Sequence, residues 1–445
     1  MTRLMREQSS LADDSIPYGH GTLRTSLTGI GTSFSSTNLL TVPTGYVALI
    51  DQLVLKAITN DAASNHSVVV EINDQELTFH ASGTANARRV ERLVWNTKGN
   101  LIVKAGETLR CKSPTYAAGN GSTTFEQNWS VSGRYRLVTE SLANTLGYFA
   151  GGTQPMVAST NSVTGSGTTA ATEKQIIAPL AGHYVEILGF TCTGHNFNSA
   201  EDSSLLAFWD GTTGTFGNDA VKIFRAYHRG APGVNQAKVM VGDTKGCIQG
   251  PVGYGVYILQ TTNVAGSTPK ADFNVIYRYR KTTECANNTG ASITNGGKKW
   301  WRYMEGITGI ATTGAWTSFF GSGIPTCTAR IRGQAISLTG ADNYSFDGEA
   351  GIVLGTAGGI ATGSNFGEVF LANGDGGAGA TAYSTATEDV LVCSTAQDPG
   401  FLAIAVSSGS MTARSHLVWG TMHGGVEQAL TTSGGGTTIR DTWTA

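Results

Sequence analysis

Side chains able to do chemistry are present in this sequence but are not spaced to do it together. The eight histidines, at 20, 66, 80, 183, 195, 228, 416 and 423, include no i, i+2 or i, i+4 pair, so a metal centre has no local ligand set to start from. Gly374-Asp-Gly-Gly-Ala-Gly379 has the glycine spacing of a phosphate-cradling loop, yet Ala380-Thr-Ala-Tyr-Ser-Thr385 follows where a helix would have to begin. Asp342, Asp347 and Glu349 bring carboxylates to the stretch around Asn343 to Gly348 without the alternating positions of a calcium loop, and read as a solvated turn. Nucleophile elbows, HExxH, Walker and EF-hand patterns are absent from the sequence. The expectation is a chain without catalytic, metal or cofactor residues, and not an enzyme.

The sharpest local feature is Lys298-Lys-Trp-Trp-Arg-Tyr303. Basic residues interleaved with aromatics can stack bases and neutralise phosphates. The same residue types anchor protein interfaces. With 30 Lys+Arg against 32 Asp+Glu the chain has no basic excess to support nucleic-acid binding. Trp300, Trp301, Arg302 and Tyr303 are therefore expected at an interface, pinning two domains or two subunits. Arg88, Arg89 and Arg92 form a smaller basic group that reads as a solvated face.

The elements that must position these residues are β-strands. At 445 residues the length suggests about three domains. Charged residues are 14% of the chain against about 25% in ordinary globular proteins, while 40% hydrophobic residues are enough to fill cores. The longest clean apolar run, Phe401 to Val406, is far below the ~20 residues of a membrane helix, and the N-terminal stretch has no signal-peptide apolar segment, so no membrane is expected. Runs such as Ser67 to Ile72, Val221 to Tyr227 and Gly255 to Gln260 are short, rich in β-branched and aromatic residues, and bounded by turn formers. Two short helix candidates, Ala87 to Leu93 and Thr139 to Leu146, fit loops equally well.

The strands recur. Trp129-Ser-Val-Ser-Gly-Arg-Tyr135, Ala271-Asp-Phe-Asn-Val-Ile-Tyr277 and Ala413-Arg-Ser-His-Leu-Val-Trp419 end in an aromatic at evenly spaced positions. Gly106-Glu-Thr-Leu-Arg-Cys111, Gly242-Asp-Thr-Lys-Gly-Cys247 and Asp389-Val-Leu-Val-Cys393 read as a second repeated element. They place one of the six cysteines, all expected to be free thiols, on a matching buried strand of each unit. A third, Thr-rich element, Leu27 to Thr32, Val163 to Thr168 and Ile307 to Thr312, suits a sheet edge. The fold class expected is all-β, three tandem antiparallel β-sandwich domains, jelly-roll-like or immunoglobulin-like, with an extended N-terminal arm. The expected boundaries are an arm at 1–40, sandwiches at 41–140, 175–281 and 325–425, spacers at 141–174 and 282–324, and a C-terminal strand or tail at 426–445. Leu4, Ile16, Tyr18, Leu23, Leu27 and Ile30 are too few for a core and too evenly spread for a solvating tail, so the arm is expected to dock on a partner, while the tail with Trp443 either docks on a second neighbour or folds back on the third sandwich.

Phrases such as Thr41-Val-Pro-Thr-Gly-Tyr-Val-Ala-Leu-Ile50 and Leu101-Ile-Val-Lys-Ala-Gly-Glu-Thr-Leu109, in a charge-poor chain rich in Gly, Ser, Thr and Asn, resemble virion structural proteins of tailed bacteriophages. Within that group they are similar to head decoration or cement proteins and to β-rich tail or fibre components. The resemblance implies a virion protein assembled in the host cytoplasm. It would bind the major capsid protein or other virion proteins and stabilise the shell, as a homo-oligomer for which a trimer is favoured, with no nucleic-acid partner. A tail protein binding host-surface glycan and a β-sandwich glycoside hydrolase are the alternatives. The hydrolase would need a paired-carboxylate cleft that no local pattern supplies.

Overall fold

The computed structural model describes residues 20–30, 35–59, 65–72, 75–82, 89–113, 126–145, 155–164, 172–195, 201–211, 220–230, 237–262, 270–281, 298–310, 315–318, 327–340, 346–354, 367–376, 381–386, 390–394, 400–408 and 410–423. The first unit runs through β1 (His20–Ile30), β2 (Ser35–Thr41), β3 (Tyr46–Thr59), β4 (Asn65–Ile72), β5 (Gln75–Ser82), β6 (Arg89–Trp95), β7 (Leu101–Val103), β8 (Thr108–Ser113) and β9 (Glu126–Thr139), followed by a short helix α1 (Glu140–Thr145). One sheet has the order β1-β9-β3-β6, with β7 also on β3; the other is β2-β8-β4-β5. Side chains of both meet in one core around Leu53, Leu55, Val68, Val70, Phe79, Leu109 and Val131.

The second unit repeats this as β10 (Met156–Thr164), β11 (Thr172–Ile177), β12 (His183–His195), β13 (Glu201–Asp210), β14 (Val221–Gly230), β15 (Ala237–Val241), β16 (Ile248–Gln249), β17 (Gly255–Thr262) and β18 (Lys270–Lys281). The third runs β19 (Lys298–Ile310), β20 (Ala315–Ser318), β21 (Cys327–Gly340), β22 (Phe346–Leu354), β23 (Gly367–Gly376), β24 (Thr381–Ala386), β25 (Val390–Ser394), β26 (Gly400–Ser408) and β27 (Ser410–His423). Their sheets are β10-β18-β12-β15 with β11-β17-β13-β14, and β19-β27-β21-β24 with β20-β26-β22-β23. In every unit the chain crosses back and forth between the sheets, so that its first and last strands pair with each other. That is the winding of a jelly roll, and it removes the immunoglobulin-like alternative, whose strands are joined differently. The chain is three jelly rolls in tandem.

This strand order redraws the expected boundaries. The segment read as an arm supplies β1, which pairs along its length with β9, from His20 opposite Arg136 to Ile30 opposite Glu126. The two segments read as spacers supply β10 and β19 in the same way. The Thr- and Gly-rich elements are thus the first strands of the three sandwiches, and they do lie at sheet edges. They looked like linkers because an edge strand needs little apolar content.

Two further expectations change. Cys111 lies on β8, Cys393 on β25, and Cys247 in the turn just before β16, so these three cysteines are not equivalent. Cys111, Cys192 and Cys247 are free and buried, and burial pushes the thiols of Cys111 and Cys192 well above their ordinary range. The basic residues Arg89 and Arg92 sit on strand β6 rather than on a helix, whereas Glu140–Thr145 is helical. Asp347 and Glu349 fall within β22, not in a turn.

The true internal repeat is a β-bulge with its cover. The long third strand of each unit skips one residue of its ladder at Asp51, Leu188 and Arg332. In the first two units a Thr-Lys-Gly turn closes over it. The hydroxyl of Thr97 donates to the Ile50 carbonyl and that of Thr244 to the Ile187 carbonyl. Lys98 and Lys245 adopt left-handed φ of 49° and 48°, each followed by a glycine of positive φ. A bulge frees backbone groups from the ladder, and the turn takes them up.

Candidate assembly interface

The residues that the fold concentrates are those on the outer face of the first sheet, which in the second and third units makes the contact with the unit before. The register fixes which positions correspond, because each bulge marks the same point in the three sheets. On the third unit Trp301 stands opposite Trp419 and Tyr303 opposite Leu417. The corresponding pairs are Val157 with Ile276 and Ser159 with Asn274 on the second unit, and Thr22 with Arg134 and Arg24 with Ser132 on the first.

Trp301, Tyr303, Leu417 and Trp419 are buried among the core residues of the second unit, together with Ala335. The indole N–H of Trp301 donates to the Gln249 carbonyl at 2.9 Å. Gln249 in turn donates from its side chain to Glu186 at 3.1 Å, and Glu186, fully buried, is held by Arg278. Gly246, at φ 66°, has its Cα against the Glu186 carboxylate, where a Cβ would lie 2.4 Å from Oε1. A buried charge is tolerable because its partner and a further donor are both in place.

The seam between the first and second units uses the same elements with different side chains. Val157, Leu188 and Ile276 enter the hydrophobic core of the first unit. Asn274 reaches the edge strand β5. Its amide oxygen accepts from the Thr78 N–H at 2.8 Å and its amide nitrogen donates to the Thr78 carbonyl at 2.8 Å. One side chain thus satisfies both backbone groups of an edge residue, as a neighbouring strand would. Gln75 returns the favour by accepting from the Val157 N–H at 3.0 Å. Trp95 donates to the Val241 carbonyl at 3.1 Å, and Asn100 donates to Asp243 at 3.0 Å and to the carbonyl of bulge residue Leu188 at 3.2 Å. Gly242 meets the Asn96 carbonyl so closely that a Cβ there would lie 1.5 Å from the oxygen.

The two seams are one interface used twice. Strands β5, β6 and β7 of the first unit rest on β10, β18, β12 and β15 of the second. Strands β14, β15 and β16 of the second rest on β19, β27, β21 and β24 of the third. These are corresponding elements throughout, so the units are docked head to tail.

No family model matches the sequence, and no curated protein matches it. Among solved structures the chain is similar to the major capsid protein of STIV, at 6% identity and a TM-score of 0.32, over 59% of this chain and 96% of that one. It is similar to a chain from the atomic structure of Sulfolobus turreted icosahedral virus, at 8% identity and 0.30, over 60% and 92%. A third, from a study of the triple jelly-roll fold and turret assembly in an archaeal virus, gives 8% identity and 0.17, over 91% of each chain. Similarity at these scores does not superpose whole molecules, and the jelly-roll assignment rests on the strand order.

Of the residues singled out in the sequence, Trp301 and Tyr303 lie in the seam between the second and third units, buried to 0% and 1% exposure. Trp300 and Arg302 alternate with them on β19. Leu23, Leu27 and Ile30 belong to β1, while Leu4, Ile16, Tyr18 and Trp443 lie outside the described residues. Sequence reasoning missed Asn274, Gln75, Trp95 and Gly242. Nothing in their spacing marks them, since their roles exist only once two units touch. Among the described residues no group of three His, Cys, Asp or Glu is placed to hold a metal ion, and no helix is long and apolar enough to cross a membrane.

Proposed function

We propose that this chain is a non-enzymatic structural protein of a virus particle, present in many copies in or on the shell and binding other virion proteins through the faces of its jelly rolls. The observation that carries the reading is the docking of three jelly rolls through one repeated interface, with Trp301, Tyr303 and Trp419 on one seam and Trp95 on the other. Jelly rolls serve as shell proteins, lectins and cupins. A cupin-type site would need polar side chains converging inside a sandwich. Here the interior of the second unit is occupied by Phe190 stacked on Phe273 at 5.8 Å and packed on Phe224 at 5.7 Å, with Trp209 beside them. The sparing use of charge fits a surface that neighbours cover, because interface centres are depleted of charge.

The finer reading is a decoration protein on the capsid of a tailed phage, acting as an oligomer. Quantitative mass spectrometry of purified particles, with the density located by electron cryo-microscopy, tests it. Hundreds of copies on the shell lattice are expected. A handful of copies at the tail would instead favour a tail or fibre protein, and absence from purified particles would remove the virion reading altogether.

A further inference from the structure

The repeated interface leaves two complementary ends. The outer face of the first unit's sheet has no preceding unit on it, and the fifth strand of the third unit, β23, has no following sheet to rest on among the described residues. We propose that a second copy of this chain joins these ends, the side of one copy formed by β23, β24 and β25 docking on the β1-β9-β3-β6 face of the next.

Charge is what distinguishes this junction from the two internal seams. Where the second unit places Ile276, Leu188 and Thr193 on its docking face, the first places Arg134, Asp51 and Lys56. Lys56 stands directly opposite Arg92 in the register, and Lys56, Arg92 and Arg134 are exposed, without an acidic partner among the described residues. The nearby carboxylate of Asp51 is already engaged by Arg136 at 2.9 Å. Like charges directly opposite each other on a sheet destabilise it unless something neutralises them. The third unit supplies the opposite sign. From Arg332 to Arg414 the sequence contains no intervening lysine, arginine or histidine, and β23, the counterpart of β5 and β14, carries Glu368 and Asp375. A basic pair at one end and, at the other, an acidic strand in a stretch without basic residues are what the internal geometry would bring together.

A heterologous contact of this kind continues until it closes into a ring or extends as a filament. Because its faces are charged rather than apolar, the contact is reversible and sensitive to salt, unlike the internal seams. The proposal names the partner for the assembly reading above and rests on it.

The test uses the full chain in sedimentation velocity. Raising ionic strength from about 0.1 M to about 1 M shortens the screening length from about 10 Å to about 3 Å, and association is expected to weaken by at least about tenfold. A K56E/R92E chain and an E368K/D375K chain are each expected to stop associating. An equimolar mixture of the two restores association, because each supplies the end that the other has inverted. Arg134→Glu, an exposed position, gives an independent weakening, with circular dichroism confirming that each variant is folded. Association unchanged in both charge-swapped chains overturns the contact but leaves the assembly reading standing. A wild-type chain that is monomeric at every salt concentration also overturns it, as does a monomeric chain that binds an oligonucleotide through Lys56, Arg92 and Arg134. Absence from purified particles, by contrast, counts against the assembly reading itself.

Discussion

Gly242 and Asn274 carry more of the first seam than their size suggests, because both act on backbone. A Cβ on Gly242 would need to occupy the Asn96 carbonyl oxygen, and backbone cannot rotate out of the way as a side chain would. Gly242→Ala is therefore expected to cost at least about 3 kcal/mol, the upper end of ordinary overpacking, and to separate the unfolding of the first unit from that of the second in calorimetry. Asn274→Leu keeps the branched shape but abandons the Thr78 N–H and carbonyl, at about 1–3 kcal/mol for each buried group left unpaired. Chemical denaturation measures it, and a cost below about 0.5 kcal/mol would mean that water reaches the Thr78 edge. Tyr277 supplies a pH dependence. Burial, with a smaller contribution from nearby Tyr279, pushes its phenol up to about 12. The folded state thus holds the proton more tightly than the unfolded chain, whose phenol titrates near 10. Its contribution is fully present below about pH 10 and is lost as pH rises towards 12, so Tyr277→Phe should flatten the alkaline limb of a stability profile.

At the scale of elements, β19 and β27 carry the aromatic side chains of the seam between the second and third units. Removing the indole of Trp301 leaves a cavity against Trp419 and unpairs the Gln249 carbonyl next to the Glu186–Arg278 pair. Trp301→Ala is expected to cost about 3–5 kcal/mol by denaturation, the range for deleting a large buried aromatic. Trp301→Phe should recover much of the packing but not the hydrogen bond. The sequence made Trp301 conspicuous, and the all-β class and threefold repetition were readable from alternating runs, but the evenly spaced aromatics are one residue out of register in the third unit, where Gly420 matches Tyr135 and Tyr277 and Trp419 matches Arg134 and Ile276. What it hid was which strands belong together. Thr22 to Ile30 reads as a tail because its pairing partner, β9, comes roughly a hundred residues later, and local pattern says nothing about contacts of that span. The matched cysteines misled for a related reason. Thr97-Lys98-Gly99 and Thr244-Lys245-Gly246 are the equivalent turns, and Cys111 belongs to the next strand but one.

Across the whole molecule the docking face changes character from one end to the other. The third unit offers Trp301, Tyr303, Leu417 and Trp419, the second Val157 and Ile276 with Asn274, and the first Thr22, Arg24, Ser132 and Arg134 at the same positions. In a stacked array a face with no unit on it stays soluble when it is polar, and the exposed Arg134, Lys56 and Arg92 give the first unit such a face. Helix α1 helps at one corner, where Ala143 and Leu142 cover Val47, Leu49, Ile102 and Val138. Among the described residues Leu180 is the one large hydrophobic side chain left exposed, at 41%, so the apolar docking surfaces are covered by the chain itself. The units should therefore differ sharply when separated. A fragment of residues 1–154 gives up the second unit from its β5–β6 edge but keeps a complete sandwich with a charged outer sheet, and is expected to be soluble, folded and cooperative in its unfolding. A fragment of residues 290–445 exposes two tryptophans, a tyrosine and a leucine side by side on one sheet, a contiguous apolar patch of the sort that drives association. It is expected to aggregate, and replacing Trp301, Tyr303, Leu417 and Trp419 by the residues of the first unit's face, Thr, Arg, Ser and Arg, should render it soluble. Size-exclusion chromatography with light scattering decides between the outcomes. If the unsubstituted third unit runs as a folded monomer at micromolar concentration, its aromatic face does not depend on the second unit for cover, and the graded docking face is not what holds the three jelly rolls in line.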